Sequence, residues 1–317
     1  MTLNRPPVSA LLPVHNGSKW LNSSIPNILS TLYDFDELLI LDDGSNDDSW
    51  KIIIRHAKLD NRIVTRKTSR LGLVSTLNLG LNMATHEWIA RYDVDDHYPA
   101  NRLMNQFAAS AHHDTAGVVF SDYEIWKDAK QFMGTIPSPI FPLQTKISLF
   151  GSQRTAHPSA LMRKSIVLGA GGYLESEFPA EDLGLWIRAE RIEKLCSANQ
   201  VGLYYNRNLS SVSSKRKVQA IEMRNRLRSS LKFSEEEIQS WIASLESNMY
   251  DELSDSTLRF ELFAIESLRI TRSESIKITN KEKKKIELLA RKITISKSLS
   301  VQSMQFFYWL MKRKLLS

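Results

Sequence analysis

The sequence predicts an α/β fold in which a mostly parallel central sheet is flanked by helices and followed by an α-helical C-terminal region. Two observations predict this fold. In the first half, short apolar runs alternate with helical segments, the order expected for parallel strands joined by crossover helices. After Lys215 the sequence becomes charged and helical, so we predict a domain boundary there, between residues 1–215 and 216–317.

The first two strands are bounded by clear turn signals. Residues 8–14 form an apolar run that predicts the first strand, and the letters NGS after it open a helix at 19–31. A fully apolar run at 38–41 predicts the second strand, because the turn-forming letters DDGS stop it. The next helix, at 48–59, has its apolar residues on one side.

The remaining elements follow from the same periodicity. Further strands are predicted at 63–64, 88–92 and 118–120, and further helices at 74–84 and 183–191. Residues 124–156 contain three prolines and are predicted to include loops. In the C-terminal region, helices are predicted at residues 218–231, 234–246, 255–268, 281–293 and 301–314.

Polar residues directly follow three of the predicted strands. They are His15 and Asn16 after the first strand, Asp42 and Asp43 after the second, and Asp93, Asp95 and Asp96 after the fourth. Ligands of open parallel sheets bind in the crevice beyond the carboxyl ends of the strands. The topology alone therefore predicts a site for a polar ligand at this edge.

The acidic letters DVDD suit a hard divalent cation such as Mg²⁺ or Mn²⁺, which prefers carboxylate oxygens and keeps waters or phosphates in its other positions. Residues two apart on a strand face the same side, so Asp93 and Asp95 can point together. Asp96 requires the chain to turn after the strand. The alternative is that these residues only end the strand and cap the next helix.

The positive charge of the chain is confined to its end. The net charge is +7, yet residues 281–317 contain ten Lys and Arg against two Glu, while the rest has 33 acidic and 32 basic residues. A nucleic-acid-binding fold should carry its charge on the folded body, so we exclude nucleic acid as a partner.

Several features predict a cytoplasmic protein. The single cysteine, Cys196, excludes an intramolecular disulfide and is typical of a reducing compartment. The N-terminus lacks the charged region and cleavage site of a signal peptide, and no stretch of about eighteen apolar residues predicts a spanning helix.

An ordered set of strings along the chain resembles family 2 of the glycosyltransferases. The strings are VSALLPVHNGSKWL, LLILDDGSNDDS, NLGLNMATHEWIARYDVDD, AHPSALMRKS with GAGGY, and FPAEDLGLWIRAE. The resemblance implies the nucleotide-diphosphosugar transferase fold called GT-A and an inverting, metal-dependent enzyme. It implies a catalytic domain at 1–215, with a nucleotide-sugar half at about 1–123 and an acceptor half at about 124–215.

The resemblance also implies which residues bind the donor. Pro13, His15 and Asn16 would line the nucleotide pocket. Asp43, or its neighbour Asp42, would accept a hydrogen bond from the base. His15 stands where the family more often has Tyr, so stacking on the base would be differently arranged.

The resemblance implies different roles for the acidic residues at 93–96 and those at 181–182. By the resemblance, Asp93 faces the ribose or donor sugar, and Asp95 with Asp96 holds Mn²⁺ or Mg²⁺ on the donor's diphosphate. Glu181 and Asp182 match the acidic pair of the acceptor side, with Asp182 as the catalytic base. Apolar neighbours would raise the pKa of Asp182. The same pair also suits the N-terminus of a helix, where negative charge is stabilised by the helix dipole.

Five more residues are assigned from their positions in or beside the family pattern. Arg70 stands where the family more often has Asn, and it either reaches a phosphate or is a solvated loop charge. On the acceptor side, His157 either touches acceptor or diphosphate or is structural. Gly171 and Gly172 serve a tight turn or a close backbone approach to the acceptor. Trp186 is an apolar neighbour of the base.

The basic tail suggests a location for the enzyme. Aromatic residues at 306–311 beside lysines suit an anionic membrane interface, although the same residues could pack on protein. The family often serves lipid-linked or surface glycans, so we expect a UDP-sugar donor, a glycan or lipid-linked acceptor, and peripheral binding to the cytoplasmic face of a bacterial inner membrane. The alternative function is a catalytically silent nucleotide-binding or scaffold subunit of a glycan-assembly complex.

Overall fold

The computed structural model describes residues 5–113, 116–139, 142–150, 155–207 and 216–228, together with 230 and 236. The chain divides into two compact units, Met1–Ser229 and Ser230–Ser317. The named strands and helices all lie in the first unit.

The strands are β1 Val8–Val14, β2 Glu37–Asp42, β3 Ile63–Lys67, β4 Trp88–Arg91, β5 Val118–Lys127, β6 Gln131–Ile136, β7 Leu161–Arg163 and β8 Leu195–Arg207. The helices are α1 Ser18–Leu29, α2 Ser49–Ala57, α3 Leu73–Met83, α4 Arg102–His112, α5 Pro142–Phe150, α6 Lys164–Gly169, α7 Glu181–Glu190 and α8 Lys217–Arg228. Short 3₁₀ turns lie at His157–Ser159 and Glu175–Glu177.

The strands form one mixed sheet in the order β3-β2-β1-β4-β7-β5-β6, with β8 paired to β5. Strands β1 to β4 pair in parallel. Strand β7 is antiparallel to both β4 and β5, so β5 runs in the same direction as β4. Strand β6 is antiparallel to β5, and β8 is parallel to it. The mostly parallel sheet predicted from the sequence is confirmed.

The strand register brings the polar strand ends to one edge. Val14 lies opposite Asp42, so β1 and β2 end at the same level, while β4 ends at Arg91, opposite Leu11, and the chain continues from there toward the same edge. The loops that carry the predicted site residues therefore start from one rim of the sheet, as expected for this topology.

The core lies around β1, which is buried along its whole length, as a parallel strand covered on both faces should be. Helix α3 packs so closely on this strand that a Cβ on Gly80 would lie 2.2 Å from Leu11 Cδ1. A glycine inside this helix, which costs helix stability by itself, thus permits the helix to contact the sheet.

The second half of the sheet differs from the sequence prediction. The segment 124–156, which was expected to include loops, also contains regular structure where it is described: β5 continues to Lys127, β6 returns from it, and α5 follows. Strand β5 is stabilised along its length by β8, which the sequence did not predict because β8 contains polar residues and its pairing is interrupted near Ser121 and Asp122. Helix α7 begins at Glu181, two residues earlier than predicted.

Helix α8 is the first of the predicted C-terminal helices, and it packs on the rest of the first unit. Arg228 Nε donates to the Leu149 main-chain oxygen at 3.2 Å, and Arg216 lies 5.0 Å from the Phe178 ring centroid. The other four predicted helices and the basic tail lie outside the described residues. Among the described helices, none combines the length and apolar character needed to cross a membrane.

Candidate active site

The first strand leads into a loop that carries two predicted donor-binding residues, His15 and Asn16. Pro13 is buried inside β1, whereas His15 and Asn16 are exposed beyond its end. His15 Nδ1 donates to the main-chain oxygen of Asp43 at 2.9 Å, and the Asn16 amide donates to His15 Nε2 at 3.2 Å. The His15 ring is thus held at both nitrogens and stands at the rim of the sheet.

Further hydrogen bonds join this loop to the loop after β2. Asn16 has a φ of 53°, and its N–H donates to Ser45 Oγ at 2.9 Å. Asn16 Oδ1 accepts from the Asn46 N–H at 3.0 Å, and the Gly17 N–H donates to Ser49 Oγ at 2.8 Å. These bonds fasten the carboxyl ends of two neighbouring strands to each other.

Asp43 organises the loop that precedes α3. Its Oδ1 accepts from the Leu71 N–H at 2.5 Å and from Thr68 Oγ1 at 3.0 Å, and its Oδ2 accepts from the Gly72 N–H at 3.0 Å. Asp42 is fully buried, and within the described residues its Oδ2 has no hydrogen-bond partner. Both predicted aspartates thus lie at the rim, and Asp43 shapes the loop around Arg70. The proposed bond from either one to a nucleotide base stays a prediction.

Arg70 lies at the exposed apex of this loop in a left-handed conformation, with a φ of 65°. The loop after β2 approaches closely here, since a Cβ on Gly44 would lie 2.7 Å from the Arg70 N atom. The guanidinium is therefore carried on a fixed backbone beside the donor-side loops, where a phosphate group could reach it.

The acidic segment after β4 is held by specific partners. Arg91 Nη2 donates to Asp93 Oδ1 at 2.7 Å, and the Asp93 N–H donates to Tyr98 Oη at 2.7 Å. The Asp96 carboxylate is 1% exposed and accepts from the Asn206 N–H at 2.7 Å. The segment is thus fixed at both of its ends.

Asp95 is partly exposed, whereas Asp96 is buried beneath it. Burial and the charges of Asp93 and Asp95 raise the pKa of Asp96 well above its ordinary value. Asp96 Oδ2 is a buried atom that no described group bonds. In the described part of the chain, no cluster of three or more His, Cys, Asp or Glu side chains is arranged around a metal position. The predicted cation binding by Asp95 and Asp96 stays a prediction.

The loop after β1 and the acidic segment after β4 lie against each other. A Cβ on Gly17 would lie 3.1 Å from Val94 Cγ2, within the acidic segment. The structure thus brings the predicted residues after β1 beside those after β4, and no larger side chain would fit at Gly17 without displacing Val94.

The second acidic pair opens helix α7. Glu181 points inward and is 7% exposed, and its Oε2 is buried without a hydrogen-bond partner in the described ranges. Burial and the charge of Asp182 raise the pKa of Glu181 to about 7. Asp182 is partly exposed, and its Oδ1 accepts from the Leu183 N–H at 2.7 Å. The carboxyl with the raised pKa is therefore Glu181, and the raised pKa expected for Asp182 stays a prediction.

An aromatic cluster faces this pair. His157 Nε2 lies 2.8 Å from Tyr173 Oη, and the His157 ring centroid lies 5.8 Å from that of Trp186. Trp186 is fully buried, and its Nε1 has no bonded acceptor among the described groups. Burial and the charge of Arg91 lower the pKa of His157 well below its ordinary value, so the ring is neutral.

The two predicted glycines form the turn beside this cluster. Gly171 and Gly172 have φ values of 85° and 66°, and a Cβ on Gly172 would lie 2.8 Å from Asn78 Oδ1. The Asn78 side chain accepts from the Tyr173 N–H at 2.9 Å and donates to the Tyr173 oxygen at 2.8 Å. Glycine is needed here because Asn78 must reach the backbone that positions Tyr173.

Arg188 connects the glycine turn to the helix of the acidic pair. It donates to the Ala170 oxygen, to the Gly172 oxygen at 2.9 Å and to both carboxylate oxygens of Glu177. A Cβ on Gly184 would lie 2.1 Å from Glu177 Oε2, so the glycine makes room for this ion pair. The start of α7 is thereby fixed to the turn that carries Tyr173.

Sequence reasoning missed several residues of the site: Arg91, Tyr98, Tyr173 and Arg188. Arg91 could have been noticed, because a charged residue at the end of an apolar buried strand usually has a specific partner. Arg188 lies within the string FPAEDLGLWIRAE. Their roles depend on contacts with distant parts of the chain, which local patterns do not reveal.

Comparison with known proteins gives consistent matches. A family model described as "Glycosyl transferase family 2" matches residues 9–168. A glycosyltransferase of Methanocaldococcus jannaschii is 30% identical over 190 residues, covering 59% of this chain and 65% of that protein. The chain thus spans just under two thirds of that relative.

Two further matches carry information on ligands of those proteins. The UDP-Glc:alpha-D-GlcNAc-diphosphoundecaprenol beta-1,3-glucosyltransferase of Escherichia coli is 26% identical over 233 residues, which is 70% of this chain and 86% of that one. The structure of a mannosyltransferase from Pyrobaculum calidifontis with GDP-Man and Mn²⁺ matches with a TM-score of 0.59 at 15% identity. The match covers 98% of this chain and 85% of that one.

Proposed function

Since this chain belongs to glycosyl transferase family 2 and is a glycosyltransferase with a GT-A-like fold that uses a nucleotide sugar, we propose that it transfers a hexose from a UDP-sugar to a lipid-linked glycan. The transfer inverts the configuration of the donor carbon. One observation carries the proposal: the rim of the sheet presents two acidic segments, at 93–96 and at 181–182, and one buried cation, Arg91, acts on both.

The donor side consists of the loops after β1, β2 and β4. His15 and Asn16 are exposed at the rim, and Arg70 stands at the apex of the loop that Asp43 organises. We assign binding of the nucleotide to His15 and Asn16, and binding of a phosphate of the donor to Arg70. Asp93 is oriented by Arg91 and is assigned to the ribose or sugar.

A divalent cation fits the acidic segment. The donor set consists of carboxylates, which Mn²⁺ and Mg²⁺ prefer, and Asp96 Oδ2 is a buried oxygen without a hydrogen-bond partner among the described residues. Asp95 and Asp96 would hold the ion. When bound, the ion offsets the negative charge that develops on the departing diphosphate.

Asp182 is assigned as the base. The acceptor hydroxyl oxygen forms a bond to the donor carbon, the bond from that carbon to the diphosphate oxygen breaks, and the hydroxyl proton passes to the Asp182 carboxylate. Asp182 is partly exposed at the start of α7, so an acceptor can reach it. When Glu181 loses its proton, its negative charge makes Asp182 a stronger base.

The acceptor side is formed by the aromatic cluster and the glycine turn. His157, Tyr173 and Trp186 lie together beside the acidic pair, and Gly171 and Gly172 bring the main chain close to them. Trp186 Nε1 and Glu181 Oε2 are buried polar atoms that no described group bonds, so they have hydrogen-bonding capacity for a buried water molecule. We assign this cluster to the first sugar of the acceptor.

The donor and acceptor classes are supported by the E. coli relative, whose name specifies UDP-Glc and a diphosphoundecaprenol-linked sugar. We extend this class to the present chain, as an enzyme of bacterial polysaccharide biosynthesis such as O-antigen or capsule assembly. The basic sequence of residues 281–317 would bring it to the anionic cytoplasmic face of the inner membrane.

The direct test is a donor screen with the purified full chain. UDP-sugars and GDP-sugars are supplied with Mn²⁺ and a lipid-linked acceptor, and release of nucleoside diphosphate is measured. We expect release of UDP from a UDP-sugar. We also expect NMR of the product to show inversion at the donor carbon. Asp60→Asn, in an ion pair with Arg62 away from the site, serves as the matched control and should retain activity. Absence of release with every donor would contradict the proposal and favour the silent scaffold subunit.

A further inference from the structure

Arg91 is a buried cation at the end of β4. Its side chain is 2% exposed, and it pairs across the sheet with Leu11 of the central strand. A buried guanidinium is costly unless paired charges and hydrogen bonds compensate for its lost solvation. The partners of Arg91 therefore have to stabilise its buried charge.

Those partners fix Asp93. Arg91 Nη2 donates to Asp93 Oδ1 at 2.7 Å, and Arg91 Nη1 donates to the adjacent Tyr92 oxygen. The Asp93 N–H in turn donates to Tyr98 Oη at 2.7 Å. The side chain and the main chain of Asp93 are thus each held by a separate partner, which leaves its partly exposed carboxylate with one orientation.

The same cation acts on the other acidic segment. Its charge interacts with Tyr173, adds to the burial that lowers the pKa of His157, and opposes the burial that raises the pKa of Glu181. His157 lies on the first 3₁₀ turn, Tyr173 on the loop after α6, and Glu181 on α7. Arg91 therefore stands between the residues assigned to the donor and those assigned to the acceptor.

We propose that Arg91 is a positioning residue for sugar transfer, which orients Asp93 toward the donor and supplies the fixed positive charge that both acidic segments share. The inference rests on the proposed function and deepens it. Arg91 acts through Asp93 and through the charge balance around Glu181, and it is not assigned to contact the donor sugar.

The shared charge has a measurable consequence at Glu181. The charged and titratable groups that act on Glu181 are Asp182 on its own helix, Arg91 and Asp93 around the end of β4, and Tyr173 on the loop after α6. Arg91 opposes the burial and the negative charges that raise the pKa of Glu181. Loss of the cation should raise this pKa further, and the acid limb of the pH–rate profile should move to higher pH.

The experiment compares Arg91→Met with Arg91→Lys, which keeps the charge but not the forked geometry. For Arg91→Met we expect kcat to fall by about 100-fold, since small misplacements at reacting groups have effects of this size. Its acid limb should also move up by about one pH unit, because a nearby opposite charge shifts a pKa by about this much or more. Arg91→Lys should lose less activity, about 10-fold, and keep the limb near its wild-type position.

Arg5→Met is the matched control, because Arg5 forms another buried ion pair, with Asp36, away from the site. It should lower the melting temperature but leave the limb in place, as a structural role would. If Arg91→Met is folded and keeps either wild-type kcat or an unshifted limb, the inference is overturned. If the wild type releases no nucleotide from any donor, the proposed function itself fails. In that case the charge role of Arg91 is tested by the pH dependence of the melting temperature. If Arg91→Met and the wild type show the same pH dependence, the charge role is overturned.

Discussion

Arg188 Nη2 and Nε donate to the two carboxylate oxygens of Glu177 at 2.7 and 3.1 Å, and this ion pair occupies the space beside Gly184. Arg188 lies on the helix that begins with the acidic pair, and Glu177 lies in the turn before it. The position of Asp182 therefore depends on a contact that is about two helical turns away from it.

Gly184→Ala should disrupt this contact. The added Cβ would lie 2.1 Å from Glu177 Oε2, and buried overpacking of this kind costs about 1–3 kcal/mol. Urea unfolding should show this loss, together with reduced transfer activity. Gly169→Ala is the control, because the nearest atom to its Cβ would be 3.7 Å away, and its stability should be unchanged or slightly higher. A Gly184→Ala variant of wild-type stability would refute the packing argument.

Asp43→Asn should weaken donor binding. The carboxylate accepts three hydrogen bonds from the loop at 68–72, and an amide has only one oxygen to accept them. A buried N–H or O–H group without a hydrogen-bond acceptor costs about 1–3 kcal/mol, so the loop that carries Arg70 should be destabilised. The Kd for the UDP-sugar should therefore rise about tenfold. Calorimetry with UDP-sugar measures this. An unchanged Kd would mean that the loop does not take part in donor binding.

The stability of the protein should fall as pH rises through a window set by Asp122. Burial raises the pKa of Asp122 from 3.8 to about 6, so between these values the folded state binds the proton more tightly than the unfolded state. The free energy of unfolding therefore decreases with pH across this window. Asp122→Asn keeps the acceptor for the Ser138 N–H and should be more stable at pH 8 by about 3 kcal/mol.

Asp60→Asn is the control for this prediction, because hydrogen bonds from Arg62 lower the pKa of Asp60. Removing the Asp60 carboxylate should lower the free energy of unfolding at neutral pH. The stabilisation by this carboxylate should disappear as pH falls through the acid range. Guanidinium unfolding between pH 4 and 8 separates the two cases. Equal stability of Asp122→Asn and wild type at pH 8 would show that the Asp122 charge is not penalised in the folded state.

The pH–rate profile should have an acid limb near pH 7. Burial and the charge of Asp182 raise the pKa of Glu181 from 4.5 to about 7, and above this pH the ionised Glu181 makes Asp182 a stronger base. The rate of transfer should therefore rise with pH through this value. Glu181→Gln should flatten the limb and lower kcat at pH 8 by about tenfold. A limb that persists unchanged in this variant would assign it to another group.

Removal of divalent cations should stop transfer. EDTA should abolish product formation, and Mn²⁺ should restore it and raise the melting temperature of the wild type by mass action. Asp96→Asn should lose the increase in melting temperature, whereas Asp60→Asn should keep it. Full activity in EDTA would contradict the metal assignment of Asp95 and Asp96.

The sequence was sufficient to predict the sheet edge and the segments that form it. Asp42, Asp43 and Asp93 could be placed there because parallel strands end at a common edge, which is a property of topology. The strand β8 could not be predicted, since its polar residues interrupt the strand pattern and its pairing with β5 is irregular.

The remaining features depend on contacts that no local pattern encodes. Asp96 accepts from the main chain of Asn206, 110 residues away along the chain. The inward side chain of the second pair is Glu181 and not Asp182, because neighbouring helix positions differ by about 100° and the sequence does not say which one faces the core. A buried environment that raises a pKa is thus found at Glu181, and the one expected for Asp182 stays a prediction.

The measurement that tests the central claim most directly is the rate of sugar transfer by Asp182→Asn beside its affinity for the UDP-sugar. If Asp182 takes the acceptor proton, kcat should fall by at least about 100-fold while the donor Kd stays within about threefold of wild type. Asp182→Asn with the kcat of the wild type, in a protein that binds the donor normally, would contradict the two-sided mechanism.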